Sequence, residues 1–327
     1  MCHTLKDRLF RAVWLGMTIT IVASDVPVFA QDDEGPKLGW TNETELSLAL
    51  TGGNSGAQTF GFSNTLRHVW ETSRLQLRVN GIQSDTSDDP FLLVEPGLRF
   101  PVGAAPDAPG TTLARPPVEP DVENYLISGR YDKEITEQFF WNAGGSWDRN
   151  SDAGILHRYI AFAGLGNVWH DSQELRFSTT YAVSYTDREE ETLDPEKDGR
   201  FAGARLGWEY LNRFGESTTY ENTLISNINL ANATDYSLNM VNAVGVSINT
   251  HLSLRVSLQF LYENDPALED VDVIARVVLI DPDGIPGSGD ELFETVSEGG
   301  AKIELGESQV RKKRLDTIFR TALVVSF

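Results

Sequence analysis

Hydrophobic residues recur at every second position along much of this chain. In "TELSLAL", Leu46, Leu48 and Leu50 fall on one side and Glu45, Ser47 and Ala49 on the other. In "RLQLRV", Leu75, Leu77 and Val79 alternate with Arg74, Gln76 and Arg78. "FFWNAGGSW" aligns Phe139, Trp141, Ala143, Gly145 and Trp147, and "ELRFSTTYAVSY" sets Leu175, Phe177, Tyr181, Val183 and Tyr185 against Glu174, Arg176 and Ser178. The period continues through Tyr236, Leu238, Met240, Val244, Val246 and Ile248, then through Leu254, Val256, Leu258, Phe260 and Tyr262. At the end of the chain Phe319, Thr321, Leu323, Val325 and Phe327 share a face. Successive side chains of a strand point to opposite sides, so each stretch has one oily face and one polar face. The pattern predicts twelve strands, at 38–51, 57–70, 74–86, 121–134, 137–149, 155–169, 174–187, 200–213, 217–230, 235–249, 252–264 and 314–327. In 155–169 and 217–230 apolar residues fall on both faces.

The connections alternate in length. "ETS", "ITEQ", "HDSQ", "FGES" and "THL" are tight turns, whereas two connections are long, 87–120 and 265–313. Strands of this length with short turns at one end and longer loops at the other are the pattern of an outer-membrane barrel. Trp40, Trp70, Tyr131, Trp147, Tyr185, Tyr210 and Tyr262 fall near strand ends, where amphipathic rings sit at headgroup level. A secreted sandwich or closed barrel with an apolar interior shares the alternation, but strand length, turn asymmetry and the aromatic last residue favour lipid. The expected fold is all-β, a transmembrane up-and-down antiparallel β-barrel of about 12 strands. An even count lets the first and last strands pair and leaves no edge.

The front of the chain agrees with export. Lys6, Arg8 and Arg11 precede the short apolar stretch "AVWLGMTITIVA", and "VFA" ends at Ala30. This reads as a signal peptide over 1–30, too short in its apolar part to span a bilayer, with the barrel occupying 31–327 of the chain. The one cysteine, Cys2, lies in that leader, so no disulfide or thiolate site is expected in the exported protein. The formal net charge of −21 argues against nucleic acid as a partner. Expected instead are the cell outer membrane, its lipids and lipopolysaccharide, and a barrel-assembly machinery that meets the terminal aromatic Phe327.

The stretch "ELSLALTGGNSGAQTFGFSNTLRHVWETSRLQLRVNG" (45–81) resembles the opening of the salt-induced outer-membrane protein family, one of the domains of unknown function. Thr51, Gly53 and Asn54 match the family's Thr-Gly-Asn turn. "YLISGRYDKEITEQFFWNAGGSWDRN", "RYIAFAGLGNVWHDSQELRFSTTYAVSYTDRE" and "RLDTIFRTALVVSF" are similar to it in the same order. The likeness covers 40–327 and implies a barrel in the outer membrane, without catalytic residues. Two departures stand out, an enlarged 87–120 loop and about forty extra residues between "YENDPALED" and "RKKRLDT".

Candidates for chemistry are few. "WHDSQ" places His170 two residues before Ser172, but the segment reads as a tight turn, and no nucleophile elbow, zinc-protease motif or phosphate loop is present. Asp281, Asp283, Asp290 and Glu291 in "DPDGIPGSGDE" offer oxygen ligands around glycines, a candidate calcium site against a plain hairpin tip. Within that loop "VDVIARVVLI" and "ELFETV" are expected to pair as a hairpin, and "RKKR" (311–314) to sit at the outer headgroup level. The polar faces of the strands put Glu43, Glu45, Arg67, Arg78, Arg130, Asp148, Arg176, Arg205, Glu209, Arg255 and Arg320 in the lumen, to line a narrow pore or to pair and plug it. A structural or narrow-channel, porin-like role without catalysis is expected. The alternatives are a lipid-modifying barrel enzyme and a surface-binding module built on the two enlarged loops.

Overall fold

The computed structural model describes residues 38–52, 58–84, 91–102, 104, 110–114, 122–151, 153–283 and 291–327. The leader-like segment 1–30 lies outside them. Strands β1 (Gly39–Gly52), β2 (Gln58–Trp70) and β3 (Ser73–Ser84) come first. In the first long connection lie β4 (Phe91–Val94), β5 (Arg99–Pro101) and β6 (Thr111–Ala114). There follow β7 (Val122–Glu134), β8 (Phe139–Asn150), β9 (Ile155–Asp171), β10 (Leu175–Glu190), β11 (Arg200–Phe214), β12 (Thr218–Asn229), β13 (Tyr236–Ser247) and β14 (Leu252–Glu263). The second long connection holds β15 (Leu268–Ile280), β16 (Leu292–Thr295) and β17 (Ala301–Arg311), and β18 (Leu315–Ser326) ends the chain.

The twelve predicted strands close into one antiparallel barrel in meander order, the other six forming a separate sheet. Closure is made by β18, which pairs with β14 on one side and with β1 on the other, from Glu43↔Ser326 to Gly52↔Thr317. One step further, Asn42 and Phe327 exchange two backbone hydrogen bonds of 3.0 and 2.9 Å. No barrel strand is left with an open edge, which matters because lipid offers no hydrogen bonds to replace a missing neighbour. The tight turns gather at the end that also holds Gly39 and Phe327, and both long connections leave from the other end.

The faces are inverted relative to a soluble domain. Val183 is 69% exposed and Leu46, Ile127, Leu165 and Phe327 are also exposed, whereas Asn142 is 1% exposed and Asp132, Ser178 and Thr186 are buried. Apolar residues therefore cover the outside, and the interior takes most of the polar side chains together with a few apolar ones such as Ile82 and Ile318. Outward polar side chains satisfy one another: Asn64 Nδ2 donates to Asn42 Oδ1 and Thr44 Oγ1, and Asn222 joins Trp208 to Asn242. Aromatic rings mark both ends. Trp40, His68, Trp70, Tyr131 and Trp141 form a chain of ring contacts near the tight turns, and Trp147, His157 and Tyr159 form one near the opposite end.

The second sheet revises the expectation of two loops. Its central strand, β15, pairs with β16 over Val277–Ile280, with β17 from Leu268 to Val277, and in parallel with β4 at Asp272–Ile274. The expected pairing of "VDVIARVVLI" with "ELFETV" is present, but its larger neighbour is β17, which the alternation did not reveal. There a bulge opposite Val273 and Ile274, with Gly306 at φ 135°, interrupts the period of two. Val94, Phe100, Ala275 and Val277 form the buried core of this sheet, flanked by Leu98, Val273, Phe293, Ile303 and Leu305.

A dense joint fastens the sheet to the barrel. Arg311 pairs with Asp194 at 3.0 Å and Asp265 at 2.8 Å. Lys312 Nζ donates to the Ser151 carbonyl, Lys197 Nζ donates to that of Asp265, and Thr192 bridges to Leu268. Two of the four residues of "RKKR" thus turn into this joint.

Candidate functional site in the barrel lumen

The inward face of most strands is legible from the alternation, and the structure shows what the inward charges do. They pair. Arg67 reaches Glu43 at 2.9 Å on the neighbouring strand. Arg255 on β14 holds Glu45 of β1 at 3.0 Å and Glu221 of β12 at 2.5 Å, each two strands away. Arg130 binds Asp132 on its own strand and crosses four strands' width to Glu209 of β11, both at 2.6 Å. Arg74 adds a 2.7 Å contact to the same Asp132. Nearer the long connections, Arg158 of β9 binds Asp148 at 3.0 Å and, five strands around the ring, Glu263 of β14 at 2.9 Å. In a ring of twelve strands the last of these joins nearly opposite walls.

Partners missed by the sequence reading are Arg74, Asp132, Arg158, Glu221 and Glu263. Their segments showed no cue to inward pairing beyond the period itself, and two lie where apolar residues occupy both faces. The structure explains the first of those two segments. In β9 the inward positions include buried Ile160, and Phe162 lies under the Arg205 guanidinium at 4.6 Å. Phe140 likewise enters the lumen from β8, with Arg130 5.9 Å from its ring centre. Gly166 makes this possible, because a Cβ there would stand 2.2 Å from the Phe140 ring. At this height aromatic rings and guanidinium groups stack against one another and narrow the interior.

Above this, a small cavity of about 20 Å³ lies among Arg158, Arg188, Phe201, Asn227, Asp235 and Glu263. Arg188 is buried there, held by Asp235 through two hydrogen bonds of 3.2 and 3.1 Å. Its volume is about that of one water molecule.

The other candidates lie elsewhere. His170 is exposed near the end of β9, and the Ser172 hydroxyl is engaged in its turn, donating to the Leu175 carbonyl at 3.2 Å and accepting from the Leu175 N–H at 3.1 Å. Asp281 and Asp283 follow β15 and Glu291 precedes β16, on either side of the hairpin closed by Ile280↔Leu292. Asp290 lies outside the described residues. Among the described residues no three His, Cys, Asp or Glu side chains group as a metal site.

A family model described as "Protein of unknown function, DUF481" matches residues 44–280. Among solved structures, the chain is similar to the NanC porin, at 9% identity and a TM-score of 0.44, covering 86% of this chain and 98% of that one. A KdgM porin is similar at 9% identity and 0.39, covering 87% and 99%. An anion-selective porin from Comamonas acidovorans is similar at 9% identity and 0.35, covering 89% and 99%. Scores this low carry no argument about function. No curated protein matches the chain in sequence.

Proposed function

The chain belongs to the DUF481 family, whose description assigns no activity, and we propose from the barrel's own geometry that it is a porin-like outer-membrane protein with a narrow, ion-pair-barred lumen. The outward apolar surface and the two aromatic belts suit a bilayer, and closure through β18 satisfies every barrel edge. The aromatic Phe327, at the closing seam, is the residue this reading offers to an assembly machinery. The long connections, with their sheet, face the outside, and lipid and lipopolysaccharide are the surroundings.

The observation that carries the channel reading is the pair of salt bridges across the lumen, Arg158–Glu263 and Arg130–Glu209. A wide water-filled pore keeps opposite walls apart. Here the side chains meet at hydrogen-bond distance and Phe140 and Phe162 fill the space beside them. Such a lumen passes small ions rather than large solutes. No catalytic role is proposed.

Planar-bilayer recordings of the purified full-length protein test this. The wild type is expected to give small openings, and a variant carrying Arg158→Gln, Glu263→Gln, Arg130→Gln and Glu209→Gln larger ones. A wild-type conductance typical of an open, water-filled porin would refute the barred lumen. So would a quadruple variant that assembles but conducts no better.

A further inference from the structure

Three lumen guanidinium groups stand apart from the paired network: Arg176 at the tight-turn end of β10, and Arg78 and Arg320 at mid-strand. Arg78 on β3 and Arg320 on β18 make no ion pair or hydrogen bond with another described residue, and Arg320 Nε is buried without a partner. The register explains why. Arg78 lies beside Thr65 of β2 and Ser128 of β7, and Arg320 beside Ser257 of β14, so the described positions next to them are neutral. Nor does the wider wall neutralise them. Arg78 and Arg320 are within electrostatic reach of each other and of Arg255; Glu45 reaches both and Glu209 reaches Arg78, but Glu45 is already bound to Arg255 and Glu209 to Arg130. A cation enclosed by protein and lipid is unfavourable unless water or an anion meets it.

We infer that Arg78 and Arg320 form a binding ring for small oxyanions, solutes bearing a carboxylate or phosphate group, inside the lumen. The guanidinium is a planar fork of donors whose geometry matches two oxygens of such a group, which a lone halide does not exploit. Low-dielectric walls focus the field of these two cations, on strands three apart around the wall, into the lumen. Rings of arginine are a known way to favour anions in a pore. The outside of the molecule does the opposite. With a net charge of −21, the chain concentrates acids along its long connections, so the ring is a local inversion of sign within an acidic protein.

As a selectivity device the ring rests on the channel reading above; as a binding site it does not, and two measurements separate them. The first uses inorganic phosphate with full-length protein in detergent micelles, read by the phosphorus-31 linewidth. Wild-type protein should broaden the line and the R78Q/R320Q variant should not. The variant S257E, which supplies a carboxylate beside Arg320, should also lose broadening and serves if the double variant fails to assemble. The second is the reversal potential under a potassium chloride gradient. The wild-type ratio of anion to cation permeability should exceed one, and the double variant should bring it to one or below. Phosphate broadening that depends on Arg78 and Arg320 without any current would keep the ring and remove the channel. A phosphate line unaffected by the wild type, or broadened equally by both proteins, would overturn the ring whatever the current does.

Discussion

The barrel and the six-stranded sheet beside its long-connection end are built from the same alternation of apolar and polar residues, and they use it in opposite senses. In the barrel the exposed face is apolar, as at Leu165 and Val183, and the enclosed face holds Asn142 and Asp132. In the second sheet the enclosed face holds Val94, Phe100, Ala275 and Val277, as in any water-soluble domain. The alternation states that two environments exist, one for each face. It does not state which of them is lipid, water or protein. Closure decides that, because only the barrel has an interior cut off from its surroundings by its own wall.

Several substitutions break or sharpen this contrast. The largest effect is expected for Val277→Asp, which buries an unpaired charge in the second sheet and should cost that sheet about 3–5 kcal/mol. Proteolysis within 268–311 should become rapid while the barrel keeps its heat-resistant migration in gels; loss of both together would show that the two sheets fold as one unit. Next comes Leu258→Arg on the lipid face, expected to cost roughly 2–4 kcal/mol in a bilayer, with Gln259→Arg one position along far milder because it points into the lumen. Equal costs, measured by reversible unfolding in lipid, would reverse the assignment of faces. Gly166→Ala should cost about 1–3 kcal/mol by driving a methyl group into the Phe140 ring, a strain that Phe140→Leu in the same chain should relieve. If the second change does not recover stability, packing at that level is looser than described. Smallest is Arg311→Ala in the joint, about 1 kcal/mol or less, since its side chain is partly exposed. Hydrogen exchange should quicken along β15 and β17 and stay unchanged in β8 and β13; uniform exchange would mean that the joint does not hold the sheet.

Much of the site was within reach of the sequence, but not its connectivity. Glu43, Glu45, Arg67, Arg130, Glu209 and Arg255 are assigned to the lumen by period alone, and the structure shows them there in ion pairs. Arg158 escaped because Ile160 and Phe162 share its inward face, and inward apolar residues hide the very contrast on which the assignment depends. Which arginine meets which carboxylate depends on positions up to five strands apart around the ring. That is a matter of barrel circumference and strand stagger, to which no local pattern is sensitive.

By itself, then, the sequence determined the twelve strands, their order and the two faces of most of them, because a period of two over a whole strand is a local property and the tight turns leave neighbours no alternative pairing. Tertiary structure decided the rest. It brought β4 into parallel register with β15 and set the Leu98 N–H on the Thr295 hydroxyl at 2.9 Å, contacts between segments nearly two hundred residues apart. It also left Arg78 and Arg320 without carboxylates while their neighbours were paired. Short strands carry too few residues to show a period, and a charge finds its partner only when the chain has closed, so both depend on the distances that folding creates.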